Sequence, residues 1–465
     1  NGIASVSGAT YSGLSLNVGD NPIQVIVTAA NKSAKTYTVI VKRLGSDSSR
    51  NRNPGGTSSS IADTAVTGAT GVTEIKTMDG KPVAFTIVNE GQVEKALQNI
   101  KSGLLTISVD SREAEQVNIK LDSKALQKII DAQSIQTISI DTKLGTYLLP
   151  IQQIHILQWA AQLNVKREDM QLEIIISRND GAEQRAGASG IKVLGAVDFT
   201  VQVSSSDGKT LNIDSFTQYV ARSIKSESPF NDGSLAAVRV STDSSGKVSY
   251  SPVPFSAKGN EVTIYSRTNS TYMLIDNPLS FKDIENHWAK ADIQKMANKR
   301  IVQGVTSEAF SPNEPVTRAE FAALITRLLG LENADLSSEL SFKDIPSDAW
   351  YRGSVAAAVG SRIVSGYEDS SFRPDQTISR QEMALMIYRA IQFAGSKDQE
   401  PVNKQSLFAD QEKIADWAQE AVHRLTGMKL MEGVSTDSFA PFDVATRAQS
   451  AVMLSRVLSV LSFTR

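Results

Sequence analysis

The chain has 465 residues, which at roughly 150 residues per domain suggests about three domains. Apolar residues make up 41% and charged residues 21%, which supports sizeable cores and excludes an intrinsically disordered chain. The 48 basic and 50 acidic side chains nearly cancel, so charge favours neither a nucleic-acid nor an anionic-membrane partner. Cysteine is absent, which excludes disulfides, thiolate metal sites and cysteine nucleophiles. No run of 18 apolar residues predicts a membrane span, and the start at Asn1 suggests a fragment or a mature piece.

The first predicted element is a hairpin. Residues 23–29 and 36–42 are β-branched runs with an alternating pattern, and a polar turn separates them. Because an isolated hairpin is only marginally stable in water, residues 1–45 are interpreted as the last strands of a β-sandwich. Residues 14–43 resemble the end of the cadherin-like sandwich modules of bacterial surface proteins. The polar, Gly-, Pro- and Ser-rich residues 46–61 then predict a flexible linker.

Residues 62–277 are predicted to form an α+β spacer domain. Its first part mixes strand-like and helix-like segments, and from residue 197 onward the pattern is almost entirely that of strands. The order of segments resembles the spacer modules that precede wall-anchoring repeats in bacterial surface proteins, and it carries no catalytic motif. The predicted strands are 83–88, 104–109, 117–121, 137–141, 172–176, 247–253 and 261–266, and the predicted helices are 92–100, 123–132 and 151–163.

Three copies of one series of motifs occupy the rest of the chain. Each copy has Phe-x-Asp, a tryptophan, a glycine, Phe-x-Pro and a tetrad that reads Thr/Ser-Arg-x-Glu/Gln. The spacing within each copy is the same, because 62 residues separate Trp288 from Trp350 and 67 separate Trp350 from Trp417, as for the other motifs. The equivalent residues are Asp283, Asp344 and Asp410; Trp288, Trp350 and Trp417; Gly304, Gly366 and Gly433; and Arg318, Arg380 and Arg447.

Each repeat is predicted to contain two helices. The first begins near the tryptophan and ends before the glycine, which is expected to form a left-handed C-terminal cap. The second begins at the tetrad, where Phe321, Leu324 and Ile325 start an apolar stripe in the first repeat. Three such amphipathic helices are expected to pack on one another.

These motifs resemble S-layer homology (SLH) domains, with one domain each at 278–332, 341–395 and 406–461. The resemblance implies an all-α, pseudo-threefold trimer with one helix of each repeat at its centre. It also implies non-covalent binding of the secondary cell-wall polymer in grooves between neighbouring repeats, typically through a terminal sugar that bears a pyruvate ketal. The location would be the cell surface and wall of a Gram-positive-type bacterium. No cofactor is implied.

The arginine of the tetrad is the main candidate for binding. Thr317 and Glu320 form a predicted capping box, but capping does not require Arg318, Arg380 or Arg447. A guanidinium can clasp a carboxylate with two hydrogen bonds, and the pyruvate ketal offers one. These arginines are therefore predicted to bind the polymer, and alanine variants are expected to weaken binding without unfolding the domain. The alternative is a salt bridge to a neighbouring repeat.

The other repeated residues have two interpretations each. Trp288, Trp350 and Trp417 could stack on a sugar, although packing is the favoured interpretation. Asp283, Asp344 and Asp410 could bind sugar hydroxyls or, equally, cap a loop. Gly304, Gly366 and Gly433 are interpreted as conformational, with close approach of a ligand as the alternative. If one groove is weakened, it is expected to be one lined by the third repeat, because Gln449 and Ser450 depart from the pattern.

The function predicted from these features is non-catalytic anchoring to the wall. A wall-anchored exoenzyme of the glycoside hydrolase type is the alternative, with catalysis upstream or within 62–277. A third hypothesis makes the middle domain an adhesin or a lattice contact, with self-association in a surface layer. The three histidines, His155, His287 and His423, share no metal-ligand spacing, so no metal site is predicted.

Overall fold

The computed structural model describes residues 19–28, 34–43, 61–66, 69–100, 103–332, 340–395 and 408–461. The chain divides into two compact units, residues 1–58 and residues 59–465. The predicted linker lies outside the described residues except for Ile61, which begins a strand. The finer domain boundaries drawn from the sequence within 59–465 remain predictions.

The first unit contains the predicted hairpin. Strands β1 (Gly19–Thr28) and β2 (Ala34–Arg43) pair antiparallel, with Ile23 opposite Val39. The cadherin-like sandwich to which this hairpin was assigned remains a prediction.

The second unit begins with a β-rich region that ends at residue 276. Its strands form one continuous sheet within the described residues, in the order β15-β14-β18-β11-β10-β7-β5-β4-β3-β6-β8-β9-β13-β17-β16, with β12 beside β11. Pairing is antiparallel except for β5 with β7 and β6 with β8. The strands are β3 (Ile61–Val66), β4 (Ala69–Met78), β5 (Lys81–Val88), β6 (Leu104–Val109), β7 (Gln116–Leu121), β8 (Thr137–Asp141), β9 (Thr146–Pro150), β10 (Met170–Arg178), β11 (Lys192–Ser205), β12 (Thr210–Asn212), β13 (Ser215–Lys225), β14 (Leu235–Thr242), β15 (Val248–Pro252), β16 (Phe255–Lys258), β17 (Glu261–Thr268) and β18 (Thr271–Asp276).

Four helices accompany the sheet: α1 (Glu90–Leu97), α2 (Ser123–Asp131), α3 (Ile156–Leu163) and α4 (Asp180–Ala188). The seven strands and the helices at 92–100 and 123–132 that periodicity predicted are confirmed, the helix predicted at 151–163 is α-helical only from Ile156, and α4 was not predicted. Alternation explains the success: in β10 the residues Met170, Leu172, Ile174 and Ile176 point into the core and are at most 1% exposed.

The two ends of the sheet meet at a short connection. Strands β15 and β16 stand at opposite ends of the strand order, yet only Val253 and Pro254 separate them in the chain. The Val253 amide donates to the Ala237 carbonyl (3.0 Å), and the Tyr265 amide donates to the Pro254 carbonyl (2.9 Å). Because Ala237 lies in β14 and Tyr265 in β17, the sheet curls until its ends adjoin.

The three repeats, called here the helical triplet (residues 281–461), contain the two helices per repeat that were predicted. The first helices bury one face against the second helices, and the second helices form the centre. Their bounds are α5 (Lys290–Asn298) and α6 (Arg318–Leu328), α7 (Arg352–Gly360) and α8 (Arg380–Phe393), and α9 (Asp416–Gly427) and α10 (Arg447–Val460).

A ring of backbone hydrogen bonds joins the repeats just before the second helices. The Val316 amide donates to the Ala445 carbonyl (2.9 Å), the Ala445 amide to the Ile378 carbonyl (3.1 Å), and the Ile378 amide to the Val316 carbonyl (2.9 Å). The prediction of an all-α triplet is therefore corrected, since extended segments form β-bridges between each pair of repeats. The physical reason is the helix cap, because an N-cap residue adopts an extended conformation and exposes its backbone for pairing.

The β-rich region and the helical triplet contact each other closely. The Tyr219 hydroxyl donates to the Leu329 carbonyl (2.7 Å), and the Asn298 amide group donates to the Gly233 carbonyl (2.7 Å). The β15–β16 connection lies under Gly330, where an added Cβ would stand 2.9 Å from the Pro254 ring. These contacts hold the triplet against the β15–β16 connection, where the two ends of the sheet meet.

A partly desolvated lysine lies at this contact. The Lys299 ammonium is 3.8 Å from the centre of the Phe255 ring, its side chain is 12% exposed, and Asp232 is 3.8 Å away. Burial lowers the pKa of Lys299 to about 8, against a weaker opposing effect of Asp232. The folded protein therefore binds fewer protons than the unfolded chain between about pH 8 and the ordinary lysine pKa near 10.5.

We expect stability to rise with pH through that window. The variant Lys299→Met should be more stable at pH 7 by about 1–3 kcal/mol and should lose the rise between pH 8 and 10, because no charge is left to desolvate. Urea unfolding at pH 7 and pH 10 measures both effects, with Lys290→Met as control, at an exposed position of helix α5, the helix that Lys299 caps. Equal pH dependence in Lys299→Met and the parent would contradict this account.

Candidate functional site

Each second helix begins with a complete capping box, as predicted. The Thr317, Ser379 and Thr446 side chains accept hydrogen bonds from the backbone three residues later. In return Glu320, Glu382 and Gln449 accept from the N-cap amides, at 2.8, 3.0 and 3.0 Å. Glutamine thus preserves the cap of the third repeat, since its amide oxygen takes the place of a carboxylate oxygen.

The arginine that follows each cap reaches into the next repeat. Its Nε donates to the carbonyl of the Phe-x-Pro phenylalanine, and its Nη2 donates to the carbonyl just before the repeat glycine. The guanidinium also lies over that phenylalanine ring, 4.6–4.9 Å from its centre. The pairs are Arg318 with Phe372 and Ser365, Arg380 with Phe439 and Glu432, and Arg447 with Phe310 and Gln303.

These arginines therefore hold the ring of repeats together. Arg318 and Arg380 are each 8% exposed, so their side chains are almost fully desolvated. The sequence predicted either a ligand contact or a salt bridge to a neighbouring repeat, and the structure shows bonds to the neighbouring repeat, mostly to backbone carbonyls. The expectation that alanine variants weaken binding without unfolding the domain stays a prediction, and each variant would leave two carbonyls without these donors.

Three interfaces between repeats result from the arrangement. Each lies where the second helix of one repeat contacts the first helix of the next, and they are called here the α6–α7 groove, the α8–α9 groove and the α10–α5 groove. In the α8–α9 groove the Ala415 amide donates to the Gln381 side chain (3.0 Å), so the N-termini of the two helices adjoin. Arg380 is the first residue of α8 and Trp417 the second of α9, so both belong to this end of the groove.

The tryptophans are surface residues. Trp288, Trp350 and Trp417 are 69%, 64% and 51% exposed. Their exposure excludes packing in the core, whereas packing at its rim, which the favoured interpretation also covered, stays a prediction; each stands within two residues of the start of a first helix. Three exposed indoles in equivalent positions are unusual, because large aromatic side chains normally bury most of their surface.

The repeated aspartates tie a loop. Both carboxylate oxygens of Asp283 accept hydrogen bonds from the Phe310 and Ser311 amides at 2.6–3.0 Å, and Asp344 and Asp410 make the same contacts. Burial disfavours the charged form, but these hydrogen bonds outweigh it and lower the pKa of Asp283 and of Asp410. The structure thus shows the loop-capping role, and contact with sugar hydroxyls remains a prediction.

The repeated glycines are required by close packing rather than by a left-handed backbone. A Cβ at Gly304, Gly366 or Gly433 would stand 2.1–2.7 Å from the ring of the phenylalanine that opens the repeat. The predicted left-handed cap at these glycines is wrong, since the residues with positive φ after the first helices lie four positions earlier. They are Arg300 (φ 61°), Arg362 (φ 57°) and Lys429 (φ 57°).

Two features of the grooves escaped sequence reasoning. Tyr367, which follows Gly366, donates to the Glu382 carboxylate (2.8 Å) and lies 5.1 Å from the Arg318 guanidinium. Phe442, in the loop beside Arg380, is 66% exposed. Both could have been found by aligning the repeats, because Tyr367 aligns with valines and Phe442 aligns with polar residues in the other two repeats.

The fold and these grooves define a pseudo-threefold repeat module with an arginine and an exposed indole in each repeat. A family model for the S-layer homology domain matches residues 280–322, 341–384 and 407–451. Residues 280–451 of this chain are three S-layer homology domains. Such domains are wall-anchoring, non-catalytic modules, and they indicate the cell surface and wall as the location.

Relatives of known class match this part of the chain. The amylopullulanase of Thermoanaerobacterium thermosulfurigenes is 31% identical over 48% of the chain and 12% of its own length. The surface-layer 125 kDa protein of Lysinibacillus sphaericus is 28% identical over 37% of the chain and 14% of its own length. The cellulosome-anchoring protein of Acetivibrio thermocellus is 28% identical over 35% of the chain and 38% of its own length. The chain thus spans well under half the length of each.

The described residues hold neither a helix long and apolar enough to cross a membrane nor a cluster of three His, Asp or Glu side chains suited to a metal ion.

Proposed function

We propose that this chain anchors a surface protein by binding an anionic secondary cell-wall polymer, with pyruvate ketals as the anionic groups, in the grooves between its repeats. The observation that carries the proposal is that each of the three repeats has both an exposed indole near the start of its first helix and an arginine at the N-terminus of its second helix. The indole offers a flat face for a sugar ring, and the guanidinium offers hydrogen-bond donors for a carboxylate.

Binding by donors placed within these grooves suits a chain whose positive and negative charges nearly balance. The net charge of −2 would not attract a polyanion from a distance, so recognition must come from placed donors within each groove. The aspartate contacts hold the Phe-x-Pro loops, and the phenylalanine carbonyls of these loops hold the arginines in position before the ligand arrives. Such preorganisation reduces the entropy lost on binding.

The tryptophans provide the cleanest test, because they are exposed and contribute little to folding. We expect the triple variant Trp288→Ala, Trp350→Ala, Trp417→Ala to bind isolated cell walls at least about tenfold more weakly, as expected for a loss near 1.4 kcal/mol. Co-sedimentation of the full chain with walls measures this affinity. The control is Leu157→Ala in the β-rich region, where an equally exposed apolar side chain (69%) is removed.

A second arm of the same measurement uses walls stripped of their secondary polymer. The proposal predicts loss of binding to stripped walls and retention of binding to intact ones. Equal binding of the tryptophan variant and the parent to intact walls would refute the role of the grooves.

The predicted spacer role of the β-rich region fits its rigid contact with the triplet, which would hold the rest of a surface protein at a fixed orientation to the wall. The alternative of a wall-anchored exoenzyme is favoured only by relatives whose names denote hydrolases, and they match the part that contains the SLH domains. An open cleft of about 480 Å³ at the ends of β6 and β8 contains Asp110 and Asp141. Each is paired with a cation, Arg112 and Lys225 respectively, so neither is placed as a free catalytic acid.

A further inference from the structure

The three grooves carry the same arginine but differ in what neutralises it. The fourth residue of each tetrad faces the arginine of the preceding repeat, and this residue is Glu382 for Arg318 in the α6–α7 groove. By repeat equivalence it is Glu320 for Arg447 in the α10–α5 groove, where the carboxylate acts on the guanidinium without an ion pair within 4.0 Å among the described residues. In the α8–α9 groove it is Gln449 for Arg380. One groove therefore has no carboxylate at this position.

The α6–α7 groove is internally paired. Glu382 Oε1 stands 3.2 Å from Arg318 Nη1, and both side chains are about nine-tenths buried, at 10% and 12% exposed. Since Nε and Nη2 of Arg318 already donate to carbonyls, all three guanidinium nitrogens are engaged. Tyr367 donates to the same Glu382 oxygen (2.8 Å), so an incoming carboxylate would meet a carboxylate and a ring.

Glu382 is held in its charged form. Burial opposes ionisation, but hydrogen bonds from Ser379 and Tyr367 and the charge of Arg318 together lower its pKa. The negative charge that blocks this groove is therefore permanent at neutral pH.

The α8–α9 groove lacks this block. Arg380 is 8% exposed, its Nε and Nη2 donate to the Phe439 and Glu432 carbonyls, and its Nη1 has no partner among the described residues. No described carboxylate lies within 4.0 Å of its guanidinium, and Asp443 and Asp410 act on it only from a distance. A buried guanidinium without an ion-pair partner lowers the stability of the folded protein, and a bound anion would offset that loss.

Gln449 supplies a second donor. Its Oε1 accepts the Thr446 amide (3.0 Å) as part of the cap, which leaves the Nε2 amide group as the free end of the side chain. A glutamate here would present an anionic oxygen instead, as Glu382 does. Gln449 Nε2 and Arg380 Nη1 are both donors, and a carboxylate can accept from both.

An apolar surface adjoins the same position. The Arg380 amide donates to the Asp443 carbonyl (2.9 Å), which places the loop that carries Phe442 beside the arginine. Phe442 and Val444 are 66% and 47% exposed, whereas Asn313 and Asp375 occupy the position of Phe442 in the other repeats. An exposed aromatic ring next to a carboxylate site suits the face of a sugar.

We propose that the α8–α9 groove is the principal anion-binding groove of this chain and that residue 449 determines its specificity. Arg380 Nη1 and Gln449 Nε2 bind the carboxylate of the wall polymer, while Glu382 closes the equivalent position of the α6–α7 groove. The proposal rests on the proposed function and reverses the expectation that a groove lined by the third repeat is the weakened one.

The test is titration calorimetry of the full chain with a methyl hexoside that bears a pyruvate ketal. The parent is expected to show one tightest site, which Gln449→Glu should weaken at least tenfold, because the new carboxylate pairs with Arg380. Glu382→Gln should add a second site in the α6–α7 groove. Both substitutions keep the capping oxygen, and thermal unfolding should confirm that each variant folds.

The outcomes separate the two claims. Equal affinity of the parent and Gln449→Glu, in a parent that binds walls, would overturn the assignment of this groove and leave wall anchoring intact. A parent that binds neither walls nor the ketal would overturn the proposed function itself. Unchanged stoichiometry in Glu382→Gln would contradict the blocking role of Glu382.

Discussion

We expect alanine substitution of two equivalent arginines to affect different properties: Arg318→Ala mainly lowers stability, and Arg380→Ala mainly weakens wall binding. Arg318→Ala should lower the free energy of unfolding by about 3–5 kcal/mol, because it leaves the buried carboxylate of Glu382 without its cation. Arg380→Ala should lower it by only about 1–2 kcal/mol, since it removes hydrogen bonds to two carbonyls but strands no carboxylate. Wall binding should show the reverse order, with Arg380→Ala the more damaging.

Urea unfolding and wall co-sedimentation on the same two variants measure this crossed pattern. Both substitutions remove the same side chain from equivalent positions, so each variant is the control for the other. Equal losses of stability, or a greater loss of wall binding in Arg318→Ala, would contradict the difference in charge between the two grooves.

The second large effect is expected from Gly366→Ala. The added Cβ would lie 2.1 Å from Cε1 of Phe342, and this ring packs at 5.6 Å on the fully buried Phe372. The ring cannot withdraw without disturbing Phe372, whose carbonyl holds Arg318. We expect the free energy of unfolding to fall by about 2–4 kcal/mol, which is toward the upper end of the losses that overpacking causes.

The matched control is Gly353→Ala in helix α7 of the same repeat. No atom lies within 4 Å of a Cβ built there, so alanine should stabilise the helix by about 0.5–1 kcal/mol. Thermal unfolding of both variants decides the point, and a Gly366→Ala variant as stable as Gly353→Ala would show that the ring can move aside.

What the sequence predicted well was local. Helix bounds, capping boxes and the hairpin depend on residues a few positions apart, and the repeat added a threefold check on each motif. The tetrad caps were therefore predicted residue by residue, including the substitution of Gln449 for glutamate.

What the sequence could not predict depends on partners far along the chain. Arg447 bonds to Phe310, 137 residues away, and no local rule connects them. The glycine of each repeat resembled a helix cap because it follows the helix closely, whereas its actual reason is a phenylalanine ring from the start of the repeat. Ser450 is another case: it is fully buried and its hydroxyl has no hydrogen-bond partner among the described residues, although its substitution for an apolar residue was visible in the repeat.

The β-rich region shows the same limit. Alternation located its strands, but the order in the sheet depends on long connections. Arg222 was unremarkable in the sequence and is 1% exposed, with its guanidinium 5.1–6.0 Å from the rings of Tyr147, Phe199 and Tyr272. A buried cation held by aromatic rings can be recognised only when three separate strands are brought together.

Our central claim is that guanidinium groups in the grooves recognise a carboxylate of the wall polymer. The most direct test is to measure co-sedimentation of the full chain with isolated walls, before and after mild acid removes the pyruvate ketals. The full chain is needed because the triplet contacts the β-rich region. Our account predicts that removal of the ketals weakens binding at least about tenfold, the loss of one charge-assisted hydrogen bond or more. Undiminished binding to ketal-free walls would contradict it and would identify peptidoglycan or a neutral sugar as the ligand.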